Sequence, residues 1–234
     1  MSFGMPPQVR LVSVDVGYTL GEPEGVSFTQ RLSSLSALPA EQSKRVVQQH
    51  LHAAAPDDEE AVGAVCRQLG ITRSDFPRTH RPASFTVWPG SSEALARIAA
   101  VVPVVTLSNV TYWDDQGCDV RALFAPHVRA HYPSWRVGFA KPDPRAVQTV
   151  ARLHGVLPAE VLHVGDSYVY DVLGARAAGA QALWVRDRRS PSAPPPQPAG
   201  PTPWVTAVAG LSAAADHVVQ TVLTRPLTAR SPAP

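Results

Sequence analysis

The sequence predicts an α/β protein: a parallel sheet with helices on both faces, and a small all-helical insertion after its first strand. Three observations carry this prediction. Short apolar runs recur along the chain, helical patterns lie between them, and one long polar, helix-prone stretch breaks the rhythm early.

The elements follow in order. LVSVDVG (11–17) is an apolar run ending in Gly, as a buried strand leading into a loop would be. Residues 21–84 hold two helical patterns, LSALPAEQSKRVVQQHLHAAA and DDEEAVGAVCRQLG, punctuated by Pro39 and Pro56. Asp57 or Asp58 can cap the second of them. No strand pattern is evident in this insertion. SSEALARIAA (91–100) reads as a helix and VVPVVTLSN (101–109) as the next strand. PDPRAVQTVARLHG (142–155) places Asp143 as N-cap, Pro144 at the first helical position and Gly155 as the stop. EVLHVGDS (160–167) and QALWVRD (181–187) are two more strands, with the helix YDVLGARAAG (170–179), closed by Gly179, between them. WVTAVAGLSAAADHVVQTVL adds a last strand and helix.

The resulting plan is a discontinuous Rossmann-like core, residues 1–20 and 85–225, with a helical cap at 21–84. SPSAPPPQPAGPTP (190–203) contains seven prolines and reads as an extended surface loop. Residues 226–234 read as a flexible tail.

Composition narrows the function classes. The chain is 44% hydrophobic and 17% charged, with a net charge of +2, so it carries no strong electrostatic footprint for nucleic acid. No apolar run is long enough to span a membrane, and MSFGMPPQVR lacks a signal-peptide pattern, so a cytoplasmic protein is expected. Cys66 and Cys118 have neither a disulfide framework nor metal-ligand spacing and are expected to be inert thiols. Of the 21 basic residues only Lys44 and Lys141 are lysines.

In open parallel sheets, ligands sit beyond the carboxyl ends of the strands. Asp15 and Thr19 follow the first strand, Ser108 and Asn109 end the second, and Asp166 and Asp171 follow the third. Lys141, in GFAKPDP, stands at a helix entry. Carboxylates, a hydroxyl and a lysine on one rim are the inventory for phosphate chemistry with a divalent cation, and oxygen donors suit Mg²⁺. A carboxylate such as Asp15 can attack phosphorus. A metal and a lysine remove the charge repulsion that opposes this attack.

VDVGYTL, VVTLSN, AKPDP and GDSYVYD resemble, in order and spacing, the four motifs of the haloacid dehalogenase-like (HAD) superfamily, in the subfamily with a helical cap after the first motif. The resemblance covers the chain to about residue 224. It implies that Asp15 is the nucleophile, that Ser108 with Asn109 binds the transferred phosphoryl group, and that Lys141 neutralises both. It further implies Mg²⁺ held by Asp15, Asp166, the Gly17 backbone carbonyl and, directly or through water, Asp171.

One departure stands out. Phosphatases of the superfamily usually carry a second Asp two residues after the nucleophile, as general acid and base. This chain has Gly17 there. Lys44, His50 and His52 are the cap candidates to replace it, with Lys44 the only cap lysine. AEQSKRVVQQH otherwise reads as a solvated helix face, and both histidines as surface residues. The resemblance implies that Tyr18 faces the gap between core and cap, where packing and substrate contact are both open readings; Trp113 is a candidate to line the pocket, and Thr19 orients the first loop and is, with Lys44, a further candidate substrate contact. Asp114 and Asp115 read as helix caps, Trp88 and Trp135 as packing residues, and His163 as a satisfied sheet residue.

The expected function is Mg²⁺-dependent hydrolysis of a small phosphorylated metabolite through an aspartyl-phosphate. The alternative is a HAD-like protein without efficient phosphatase activity, binding a phosphorylated ligand or a protein partner. A C–P or C–halogen bond hydrolase is a minor third reading.

Overall fold

The computed structural model describes residues 7–80, 84–191 and 204–224. The proline-rich stretch beyond Pro191 and the tail lie outside the described residues. The core is a six-stranded sheet of entirely parallel pairs: β1 (Leu11–Val14), β4 (Val104–Ser108), β5 (His131–Pro133), β6 (Val161–Gly165), β7 (Gln181–Val185) and β8 (Val205–Val208). Its order is β5-β4-β1-β6-β7-β8, so β1 is central, flanked by β4 and β6.

Helices cover both faces, as the apolar runs predict. Val12 and Val14 point to one face, where α4 (Ser91–Ala99) and α10 (Leu211–Leu223) bury Leu95, Ile98, Ala214 and Val218. Leu11 and Val105 point to the other, against Val147 and Val150 of α8 (Pro144–Leu153) and Ala175 of α9 (Gly174–Ala177). With both faces covered, the central strands are buried almost throughout instead of alternating, and Ser13, Thr106 and His163 are buried polar residues among their apolar ones. Helix α8 starts as its sequence predicts: the Asp143 side chain accepts from the Arg145 amide, and Pro144 occupies the first turn.

The insertion departs from expectation at its edges. Residues β2 (Gly21–Glu24) and β3 (Ser84–Val87) pair antiparallel as a short ribbon at its base. GEPE carries no apolar alternation and is exposed except for Gly21, so its strand state comes from pairing with β3 and not from local pattern. Inside the insertion are α1 (Phe28–Leu35), α2 (Ala40–Leu51) and α3 (Glu59–Leu69). Helix α1 is opened by a capping box between Ser27 and Gln30, and α3 by Asp58, which accepts from Ala61 N at 2.9 Å. The three helices share a core of Phe28, Leu32, Val47, Leu51, Val65 and Leu69. Short helices α5 (Tyr112–Asp115), α6 (Val120–Leu123) and α7 (Ser134–Val137) fill the connections around β4 and β5. Among the described residues, no helix is long and apolar enough to cross a membrane.

Candidate active site

The predicted rim residues converge where the central strands end. Asp15 follows β1, Ser108 closes β4 and Asp166 follows β6. Asp171 sits in a π-helical turn, Tyr168–Leu173, that runs into α9. Two glycines make this approach possible. A Cβ on Gly165 would lie 2.3 Å from the Asp171 carboxyl carbon, and one on Gly174 would lie 2.9 Å from Pro142 Cα. The π-turn can therefore fold back on β6, and α9 can press against the segment bearing Lys141.

Lys141 is the hub. Its buried Nζ donates to Asp15 Oδ1 and to Asp171 Oδ1, each at 2.6 Å. Asp171 is further held by His163 Nε2 at 3.1 Å and by the Ser167 amide at 2.9 Å. Thr19 Oγ1 lies 3.3 Å from both Asp15 Oδ2 and Asp166 Oδ1, tying the first loop to the third. Ser190 Oγ donates to Asp166 Oδ2, and the Trp184 indole N–H donates to the Asp166 carbonyl at 2.9 Å.

The electrostatics follow from burial with incomplete neutralisation. Burial opposes the charge on Lys141, but the Asp15 and Asp171 carboxylates outweigh it and push its pKa up. Burial likewise favours a neutral Asp171, yet Lys141 and His163 hold it well below the usual carboxylate range. Asp15 shares the same lysine but lacks those extra donors. Burial, reinforced by Asp171 and Asp166 and opposed by Lys141, pushes it up to about 7. Asp15, Asp166 and Asp171 each present a carboxylate oxygen, all within 4.8 Å of one another. Such an oxygen-only cluster has the donor chemistry of an Mg²⁺ site.

Several residues take roles other than those expected. The Asn109 side chain is tied to the Lys141 backbone, donating to its carbonyl and accepting from its amide, so it also positions the lysine. Trp113 is buried in the insertion's core, stacked on Phe28 with centroids 4.5 Å apart and edge-on to Phe76. Asp114 accepts from the Phe28 amide at 2.8 Å and so anchors the start of α1, whereas Asp115 accepts from the Trp135 indole. His52, the residue that ends α2 after Leu51, is buried and not at the surface. His50 bonds to Gln68. Lys44 lies exposed on α2, as its amphipathic surroundings predict. Tyr18 has a left-handed backbone (φ 59°), with its amide bonded to the Gly21 carbonyl. Cys66 and Cys118 are free thiols whose pKa values burial raises.

His163 is satisfied within the sheet, as expected, but it also reaches the site, bridging Ser13 Oγ and Asp171 Oδ1. Ser190 and Trp184 carry no motif signal. Their contacts to Asp166 depend on β7 lying beside β6.

A Rossmann-like sheet with a helical insertion after its first strand, and a lysine-bridged carboxylate cluster at the strand ends, defines the class. The chain belongs to the haloacid dehalogenase-like superfamily: a haloacid dehalogenase-like hydrolase model matches residues 75–179, and a HAD-hydrolase-like model matches residues 138–222. Phosphoserine phosphatase of Thermus thermophilus is 40% identical over 79 residues, 34% of this chain and 32% of that protein. Haloacid dehalogenase-like hydrolase domain-containing protein 3 of Bos taurus is 32% identical over 144 residues, 60% of this chain and 53% of that protein. The chain thus spans about half, or less, of the length of these curated relatives. The 2-haloacid dehalogenase of Pseudomonas syringae has the same fold, with a TM-score of 0.58 at 19% identity, covering 91% of this chain and 99% of that one.

Proposed function

We propose that the chain is an Mg²⁺-dependent hydrolase of a small phosphorylated metabolite, acting through an aspartyl-phosphate on Asp15. The observation that carries this reading is the Lys141 ammonium held 2.6 Å from both Asp15 and Asp171, inside a cluster of three carboxylates. One ammonium leaves that cluster short of positive charge, which suits it to a divalent cation together with a phosphate dianion. Asp15 and Asp166 are the direct carboxylate ligands in this proposal, with the Gly17 carbonyl beside them. Asp171, whose oxygens are occupied by Lys141, His163 and Ser167, acts through water and through the lysine. Bound Mg²⁺ supplies charge neutralisation between nucleophile and phosphate. Lys141 opposes protonation of Asp15 and orients it for in-line attack, and Ser108 orients the transferred group. The phosphate ester bond breaks as the bond from Asp15 to phosphorus forms, the departing alkoxide takes a proton from water, and a second water then cleaves the acyl phosphate to release phosphate and restore the Asp15 carboxylate.

Gly17 favours a second reading, in which the chain binds a phosphorylated ligand with little turnover. A Cβ built there meets nothing within 4 Å, so the place of the usual acid/base side chain is open. One experiment separates the two. The chain with Mg²⁺ is screened against phosphate monoesters, with Asp15→Asn and EDTA as controls. Phosphate release that needs both Mg²⁺ and Asp15 is expected. Release that survives Asp15→Asn sinks the mechanism, and binding of Mg²⁺ and phosphate without turnover selects the second reading.

A further inference from the structure

Beside the carboxylate cluster lies a pocket that none of the motif residues except Asp166 enters. Its walls include Trp184, Arg186, Asp187, Arg188 and Ser190, so it adjoins the site on the β7 side. The segment that forms it is firmly mounted. Trp184 is fixed by its bond to the Asp166 carbonyl and by an edge-on contact with Tyr168. Arg186 N donates to the Val208 carbonyl at 2.8 Å, holding the end of β7 against β8. Asp187 accepts from the backbone and guanidinium of Arg189, whose guanidinium also stacks 3.9 Å over the Trp88 ring. Ser190 N closes the turn on the Asp187 carbonyl, and its hydroxyl reaches Asp166.

Arg188 sits at the tip of this turn, exposed, with no carboxylate partner among the described residues. Arg186 lies 5.2 Å over the Trp184 ring and likewise has no carboxylate partner among them. Two guanidinium groups are therefore presented on a braced backbone, next to a residue of the carboxylate cluster. The charge balance of the site gives them a use. Lys141 and a divalent cation together neutralise the three carboxylates, and a phosphate monoester then brings its own negative charge. A substrate with a second oxyanion would find no cation for it among the motif residues. Guanidinium groups suit such oxyanions, because their forked N–H donors match carboxylate and phosphate oxygens in pairs.

We propose that Arg186 and Arg188 bind a second oxyanion of the substrate, so that the preferred substrates are phosphate monoesters carrying a carboxylate or another phosphate. This inference rests on the phosphoryl-transfer reading above. Its test needs no turnover, so the two can fail separately.

Binding to the Mg²⁺-loaded chain is measured by calorimetry for three non-hydrolysable probes: propylphosphonate, 3-phosphonopropionate and propane-1,3-diphosphonate. At least one doubly anionic probe is expected to bind about tenfold more tightly than propylphosphonate, and which one does so names the second group. In Arg186→Gln/Arg188→Gln that preference is lost, while propylphosphonate affinity and the melting temperature stay unchanged. Equal affinity for all three probes, no binding of any, or a preference that survives in the double variant overturns the proposal.

Discussion

Asn109 grips Lys141 by its backbone. Its Nδ2 donates to the Lys141 carbonyl at 2.6 Å, and its Oδ1 accepts from the Lys141 amide at 2.8 Å. The residue after β4 thereby sets the position of a lysine whose side chain reaches both Asp15 and Asp171. Asn109→Ala is expected to lower kcat on the order of 10–100-fold, with a smaller change in KM, because a displaced ammonium leaves Asp15, the nucleophile proposed above, misoriented. Asn109→Asp keeps the acceptor but sets a carboxylate oxygen against the Lys141 carbonyl, so it is expected to lower kcat at least as much as Asn109→Ala. Unchanged kcat in Asn109→Ala would show that packing alone holds Lys141.

Gly17→Asp tests the missing acid/base group. The position has no left-handed backbone, and an added Cβ meets nothing within 4 Å, so the side chain enters without strain. General acid/base groups contribute about 10²–10⁴ in rate, so a rise of tenfold or more in turnover of generic phosphate esters is expected. Turnover that stays level or falls would show that leaving-group protonation does not limit this protein.

The legible parts of the structure were those in which local sequence carries its own physical signal. The central strands were readable because burial on both faces demands apolar runs, and Asp15 and Asp166 because a carboxylate ending such a run has no other packing reason. Asp143-Pro144 and Gly155 marked α8 by capping chemistry. What could not be read depends on pairing across the chain. The strand GEPE exists because β3 lies against it, and Trp113 belongs to the insertion because Phe28 stacks on it. His163 reaches Ser13, 150 residues away, because β6 lies in register beside β1.

Trp113 ties the insertion to the sheet domain. It stands on α5, just after β4, yet packs among Phe28, Phe76 and the rest of the insertion's core. Its indole N–H also donates to the Arg78 carbonyl at 3.3 Å. Trp113→Ala is expected to destabilise the fold by about 3–5 kcal/mol through lost contacts and a cavity. Trp113→Phe keeps the stack on Phe28 and is expected to cost clearly less. Urea unfolding of the two variants checks the order, and equal loss in both would mean that the indole bond, not the stack, dominates.

His52 makes stability depend on pH. Burial, aided by the Lys44 charge, lowers its pKa from the ordinary 6.5 to about 4. The unfolded chain therefore takes up this proton as pH falls below 6.5, while the folded chain refuses it until about 4. Proton uptake by the unfolded state alone draws the equilibrium toward unfolding, so stability falls across that window and is unaffected by this group above it. The difference amounts to about 2 kcal/mol at pH 5, approaching about 3 kcal/mol near pH 4. His52→Gln removes the titration, so its urea midpoint is expected to change less between pH 7 and pH 5 than that of the native chain. Parallel midpoints in the two proteins over that range would show that His52 is not held neutral by burial.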